Sequence, residues 1–422
     1  MKQISVILKS FLNNHFKDIN NNDSFQLSHN SLVFIKRLYG YIIKSHLDWI
    51  NKPVINEILV SSNNIPKGNN YNGIPKGIRD YIESSSQKVK IFVLYLNHRK
   101  IQVHFVYDEK SLIDEKTIRL YLQKMYMWLY VCNIYSPYNC ANNLNIYLYL
   151  TDLKKKLPEK DLESFDMEDA NTGYTYACLY NDINSSIKKT NYNVIELIIF
   201  REEEWFKVFI HETFHAMGLD FSSMDNFAFT QKMQHLFNIE NVEDVRLYES
   251  YTEICAELIH SVFFVHFTVI HSKRGEDMEY TYAKIEETLR NEILFSLFQS
   301  VKVLDHFGLT YDKLYDNSIE SKAVCKNYRE NTPVFSYYIL KSIILFNLNN
   351  FIEWININNN GSFKFNHTNH TIEKYIDFFR DNYKNPKYIS SVKTVEKYFK
   401  KVKGNKKNEK ELETLRMTLH ES

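Results

Sequence analysis

The segment VIELIIFREEEWFKVFIHETFHAMGLDFS, residues 194–222, constrains the fold of this chain more than any other. An apolar run of strand length, interrupted only by Glu196, passes, after a few charged residues, into a helix with apolar side chains on nearly every face. Both elements need burial, so a sheet and an interior helix must pack together. The helix nevertheless carries two histidines. His211 and His215 stand one turn apart on one face, the spacing that lets two imidazoles reach one tetrahedral Zn²⁺, and Glu212 sits beside the first of them, within reach of a water held there. The alternative is a pair of satisfied core histidines on an amphipathic helix. Gly218 is expected to end the helix in a left-handed cap.

A catalytic zinc takes three protein ligands and leaves one position open. The helix beginning near Tyr248, YESYTEICAELIHSVFF, carries Glu249, Glu253 and Glu257 at intervals of four, along one stripe. From Ile254 onward it is apolar nearly all round, so its later carboxylates are expected to be buried and to need a cation or hydrogen-bond donors. Glu253 is the expected third ligand. Glu257, one turn on, is expected to accept the other ring N–H of a ligand histidine. Asp220, just past the helix cap, is the alternative ligand; otherwise it should point to solvent or the cap backbone.

HETFH followed by E-x-x-A-E, Glu253 to Glu257, resembles the gluzincin group of zincin-fold metallopeptidases. The separation of 38 residues (253 − 215) is nearer to lethal-factor-like members than to thermolysin-like ones. The likeness covers about residues 195–270. The stretch IIFREEEWFKVFIHETFHAMGLDFS also resembles one in metallopeptidase-like proteins of nucleocytoplasmic large DNA viruses. These resemblances imply a zinc-dependent metallopeptidase acting on protein or peptide substrates, with Glu212 as general base, His211, His215 and Glu253 on the metal and Glu257 behind them. Among Tyr248, Tyr251, Arg246 and His260, the resemblance favours Tyr248 as the group that stabilises the oxyanion, because it lies just upstream of the ligand helix. HETFHAMG also begins like the metzincin pattern HExxHxxGxxH, but Phe221 stands where that pattern needs its third ligand. A zincin fold kept only as a binding or virion structural protein is the rival reading.

The rest of the pattern is α+β, with a zincin-like catalytic domain over residues 86–310. Strand-like runs fall at 91–96, 101–107, 144–150, 172–179 and 194–200, with a helix at 118–131 and a polar loop at 181–193. Mostly helical chain follows, including 247–271, 279–304 and the apolar stretch 334–354. Residues 1–85 are expected to form a covering segment with a helix near 28–48, and 65–77, which repeats IPKG, an exposed turn-rich connector. A helical region, 311–422, should end in a mobile basic tail from Lys400. Lys+Arg 52 against Asp+Glu 51 gives no field to attract nucleic acid or an anionic membrane. The longest apolar stretch, Leu258–Ile270, is too short to span a bilayer. Five cysteines without CxxC spacing are read as core thiols, pointing to a reducing compartment, host cytoplasm or virion, and not to secretion.

Overall fold

The computed structural model describes residues 3–15, 25–51, 55–58, 65–85, 87–111, 113–178, 194–270, 272, 274 and 277–421. The fold is α+β, built on one mixed sheet of six strands: β1 (Asn56–Ile58), β2 (Gln87–Leu96), β3 (Arg99–Asp108), β4 (Asn143–Thr151), β5 (Gly173–Thr175) and β6 (Val194–Arg201). Their order is β1-β2-β3-β4-β6-β5. The central strands β3, β4 and β6 run parallel, and β5 closes one edge antiparallel to β6. Parallel strands are covered on both faces, which is why β4 over Ile146–Leu150 and β6 over Leu197–Phe200 carry no charged or amide side chain. The polar loop expected at 181–193 lies outside the described residues.

One face of the sheet receives the helices Glu115–Tyr135 and Trp205–Ala216. The other is covered by two residues of the turn-rich connector expected to be exposed and by the helix Lys76–Ser84 that follows it. Tyr71, Ile74, Ile78 and Ile82 pack there on Val106, Tyr147, Tyr149, Ile198 and Phe200. The Glu196 carboxylate fastens this cover by accepting the backbone N–H groups of Asn69 and Asn70, both at 3.0 Å. Apolar residues spaced among the glycines and prolines make a lid out of what reads as turn sequence.

Below the motif helix lie Leu247–Val269 and Met278–His306, followed by a π-helical turn, Phe335–Leu340, and the helices Lys341–Phe346, Leu348–Asn358, Asn369–Asn382 and Pro386–Val402. Leu247–Val269 is the one helix among the described residues long and apolar enough to cross a membrane; 89% of its apolar window is buried, so here it is a core helix. The larger of two apolar clusters takes in residues from Leu8 to Leu419, and the smaller lies under Tyr71, Ile74, Ile78 and Ile82.

The chain after Lys400 is not a loose basic tail. Its lysines end the helix Pro386–Val402 and the turn after it, but Leu415, Met417 and Leu419 alternate as in a strand and are buried. Leu415 N–H bonds Lys155 O at 3.2 Å, and Leu157 N–H bonds Glu413 O at 2.8 Å. Further on, Glu204 accepts from the N–H groups of Met417 (2.8 Å) and Thr418 (2.6 Å), and Glu292 from those of Leu419 (2.8 Å) and His420 (2.9 Å).

Nor are all five cysteines thiols. Cys140 and Cys178 form a disulfide with Cα atoms 5.8 Å apart, whereas Cys132, Cys255 and Cys325 are free and buried. The pairing comes from the fold, which brings the loop before β4 to the end of β5; the spacing of 38 residues carries no recognisable signature. The cysteine-based argument for a reducing compartment thereby loses its premise. Denatured, unreduced protein should yield three titratable thiols, the three free cysteines. Reduction should lower stability by about 3–4 kcal/mol on chain-entropy grounds. Five thiols without reductant, or an unchanged unfolding midpoint after reduction, would contradict the bridge.

Candidate metal centre

The motif helix Trp205–Ala216 begins in a constrained way. Glu204, its N-cap, has φ +58°, a left-handed conformation that an ordinary side chain adopts only when its surroundings hold it. They do so here: its N–H donates to Glu421 at 3.0 Å, and its carboxylate takes the Met417 and Thr418 amides and pairs with Lys155. The other end closes as expected. Gly218 has φ +62°, and a Cβ there would stand 3.0 Å from Cys140 Sγ, so the disulfide packs directly on the helix cap. Between the ends, the Thr213 hydroxyl donates to the carbonyls of Phe209 and Ile210 and accepts from the Trp128 indole. That network fixes the rotation of the helix and hence the direction of both histidines.

His211, His215 and Glu249 form a buried group able to hold a metal ion. His211 Nε2 lies 3.0 Å from Glu249 Oε2, His215 Nε2 lies 3.4 Å from the same oxygen, and the two Nε2 atoms are 3.2 Å apart. Ligands at about 2.0–2.1 Å from a tetrahedral ion are separated by roughly 3.3 Å. The three donors therefore already stand at the corners of such a site. Zinc's preference for imidazole and carboxylate in open three-ligand sites suits this donor set.

The expected third ligand is displaced by one helical turn. Glu253 does not join the group: its Oε2 lies 3.0 Å from His211 Nδ1, the far side of the ring, and its Oε1 pairs with Lys207 and Lys341. Glu257, expected to hold a histidine, instead meets Lys341 Nζ at 3.2 Å. Asp220 is neither ligand nor solvent-facing. Its carboxylate, buried, bonds His215 Nδ1 and receives the hydroxyls of Ser222 at 2.8 Å and Thr252 at 3.2 Å. Each histidine thus turns Nε2 to the centre because a carboxylate holds its Nδ1, an arrangement that fixes tautomer and raises basicity. Phe221 lies in an aromatic cluster, 4.2 Å from the Phe365 ring centroid.

Electrostatics follow from burial and charge. Burial would push the imidazolium forms down, but Glu249 and Glu253 raise His211 overall, and Asp220 and Glu249 raise His215 further. Burial works to raise Glu249, Glu253 and Asp220, yet the facing cations hold all three below the usual carboxylate range. At Glu212 burial outweighs the neighbouring His211, His215 and Lys207 and lifts the carboxyl to about 7. In Glu257, burial and the neighbouring Glu292 raise the pKa to about 8.

Two tyrosines flank the histidines edge-on. Tyr248 lies 5.9 Å from the His215 ring and Tyr337 5.9 Å from the His211 ring, centroid to centroid. Tyr337 also lines the small cavity beside His211, Glu212 and Glu253, together with Gly173 of β5. Nothing in the sequence singles it out, because it arrives from the π-helical turn 122 residues beyond His215 (337 − 215). Such turns recur at functional sites. Tyr251 bonds Phe363 O at 2.8 Å and His260 packs on Phe206, so both serve the core, while Arg246 pairs with Asp244.

Comparison with protein-family models, curated proteins and solved structures finds no match.

Metal content of purified variants tests the geometry. Glu249→Ala should lose the ion, whereas Glu253→Ala and Asp220→Ala should each weaken binding by about 10–100-fold. Full retention in Glu249→Ala would refute the ligand set. Because both imidazoles are raised towards the protonated form without metal, binding at pH 7 should release protons and weaken as pH falls. Calorimetry in buffers of different ionisation enthalpy reads this directly, and a signal independent of buffer would contradict it.

Proposed function

We propose that this chain is a zinc-dependent metallopeptidase of the gluzincin type, with His211, His215 and Glu249 holding the ion. The observation that carries the reading is the set of 3.0, 3.2 and 3.4 Å separations among three buried donors, with Glu212 next to them on the same helix. The ligand pattern is HExxH followed by E-x-x-x-E, Glu249 to Glu253, in which the second glutamate holds a histidine.

Charge supports the same reading. Glu212, Asp220, Glu249 and Glu253 bring four carboxylates into a buried site, and Lys207 and Lys341 bring two ammonium groups. Carboxylates outnumber ammonium groups there, the more so with Glu257 beside Lys341, and a divalent cation offsets such an excess. The group has three members among the described residues, which suits a catalytic ion with an open position better than a structural ion with four ligands. That favours an enzyme over a protein that merely binds.

A bound zinc would supply Lewis acidity towards a peptide carbonyl and acidify a water beside it. Glu212 accepts the proton of the attacking water and passes it to the leaving nitrogen. Its carboxyl, at about 7 without metal, would fall when a cation stands next to it, leaving it ionised near neutrality and able to act as base. The role of donor to the oxyanion falls in this reading to Tyr337 or Tyr248, whose rings stand one beside each histidine.

Glu212→Gln should keep zinc at wild-type stoichiometry and lose peptide hydrolysis by at least about two orders of magnitude. Cleavage products mapped proteome-wide, wild type against Glu212→Gln, supply the substrate and the test together. Equal product sets from the two proteins would defeat the reading.

A further inference from the structure

The chain buries two lysines where the chemistry as derived has no use for them. Lys207 and Lys341 are each 1% exposed, and an ammonium at that depth costs several kcal/mol unless it is paired. Lys207 sits one turn before His211 on the motif helix, so both side chains point to the same place. Lys341 comes from the helix that follows the π-helical turn.

Both meet on one atom. Glu253 Oε1 pairs with Lys207 Nζ and lies 3.1 Å from Lys341 Nζ, while Glu253 Oε2 faces His211 Nδ1 at 3.0 Å. Lys341 is anchored in turn by Glu257 at 3.2 Å and by the carbonyl of Met417, and Lys207 lies 3.8 Å from Met417 Sδ. The other histidine is treated differently: besides His215, Asp220 takes the hydroxyls of Ser222 and Thr252, and among the described residues no lysine or arginine pairs with it.

We propose that Lys207 and Lys341 are positioning residues of the metal site. They fix Glu253 in rotation, and so make His211 a ligand through Nε2, with Met417 of the C-terminal segment completing the clamp. The inference rests on the metallopeptidase reading and deepens it. Without the lysines, Glu253 keeps the His211 ring as its remaining contact, its rotation is no longer fixed, and it no longer orients that ring. Lysines acting only as packing would stabilise the fold without touching the metal.

The test is zinc affinity of the metal-free full chain, measured by competition with a chromophoric chelator, with the thermal midpoint recorded beside it. Lys341→Met should weaken zinc by about 10–100-fold, the size of effect found for outer partners of a ligand histidine. Lys341→Arg, which keeps the cation, should recover most of that loss. In a Glu253→Gln background, Lys341→Met should change affinity by less than about two-fold, because the two act through one contact. Lys207→Met provides the same comparison should Lys341→Met fail to fold. Wild-type affinity in both lysine variants, or a full additional loss in the Glu253→Gln background, would overturn the proposal while leaving the metal site intact. Wild-type protein that binds no zinc would overturn both readings together.

Discussion

The interaction on which the rest of the structure depends is the one that Glu253 makes at both of its oxygens. One oxygen faces His211, and the other faces two ammonium groups. A carboxylate buried to 1% exposure cannot stand alone, since its lost hydration has to be replaced by opposite charge. That requirement draws Lys207 from the motif helix and Lys341 from the helix after the π-turn to a single point. The motif helix, the ligand helix and the later helices are therefore registered against one another by charge, over apolar packing that would tolerate small slips.

The C-terminal segment belongs to the same construction. Met417 touches both lysines, and its neighbours satisfy Glu204 at the start of the motif helix and Glu292 in the helix beneath. The left-handed Glu204 persists because this segment occupies its donors and acceptors. At the opposite end, the Cys140–Cys178 bridge packs on Gly218. The helix that carries the two histidines is thus held at its entry by hydrogen bonds and ion pairs and at its exit by a covalent link. An orientation held from both ends suits a site whose donors must converge within a few tenths of an ångström.

Much of the fold could be read from periodicity. The strands β2, β3, β4 and β6 and the helices over 205–216, 247–269 and 278–306 fall close to their expected places, because each carries an apolar pattern long enough to outweigh local ambiguity. The connector at 65–77 and the tail after Lys400 were misjudged for a common reason. In both, a few apolar side chains sit among glycines, asparagines or lysines, and their burial depends on a surface supplied by distant chain. Composition describes such segments as exposed when tertiary contact buries them.

Two imidazoles one turn apart, a glutamate next to the first and a stripe of carboxylates on a second apolar helix were all fixed by local sequence, because helix geometry alone puts i and i+4 on one face. Which carboxylate of the stripe joins the two histidines was not. Glu249, Glu253 and Glu257 are equivalent by spacing, and a shift of one turn, about 5.4 Å of rise, exchanges their roles. Only packing of the ligand helix against the motif helix sets that height, placing Glu249 at both Nε2 atoms and sending Glu253 to the lysines. The same holds for Tyr337 and for the Cys140–Cys178 pair, each assembled from chain segments whose separation carries no local signal. Sequence determined which donor groups share a helix face because that resides in residue types at helical spacing, and tertiary structure decided which of them converge because convergence at one point is a property of how helices are packed.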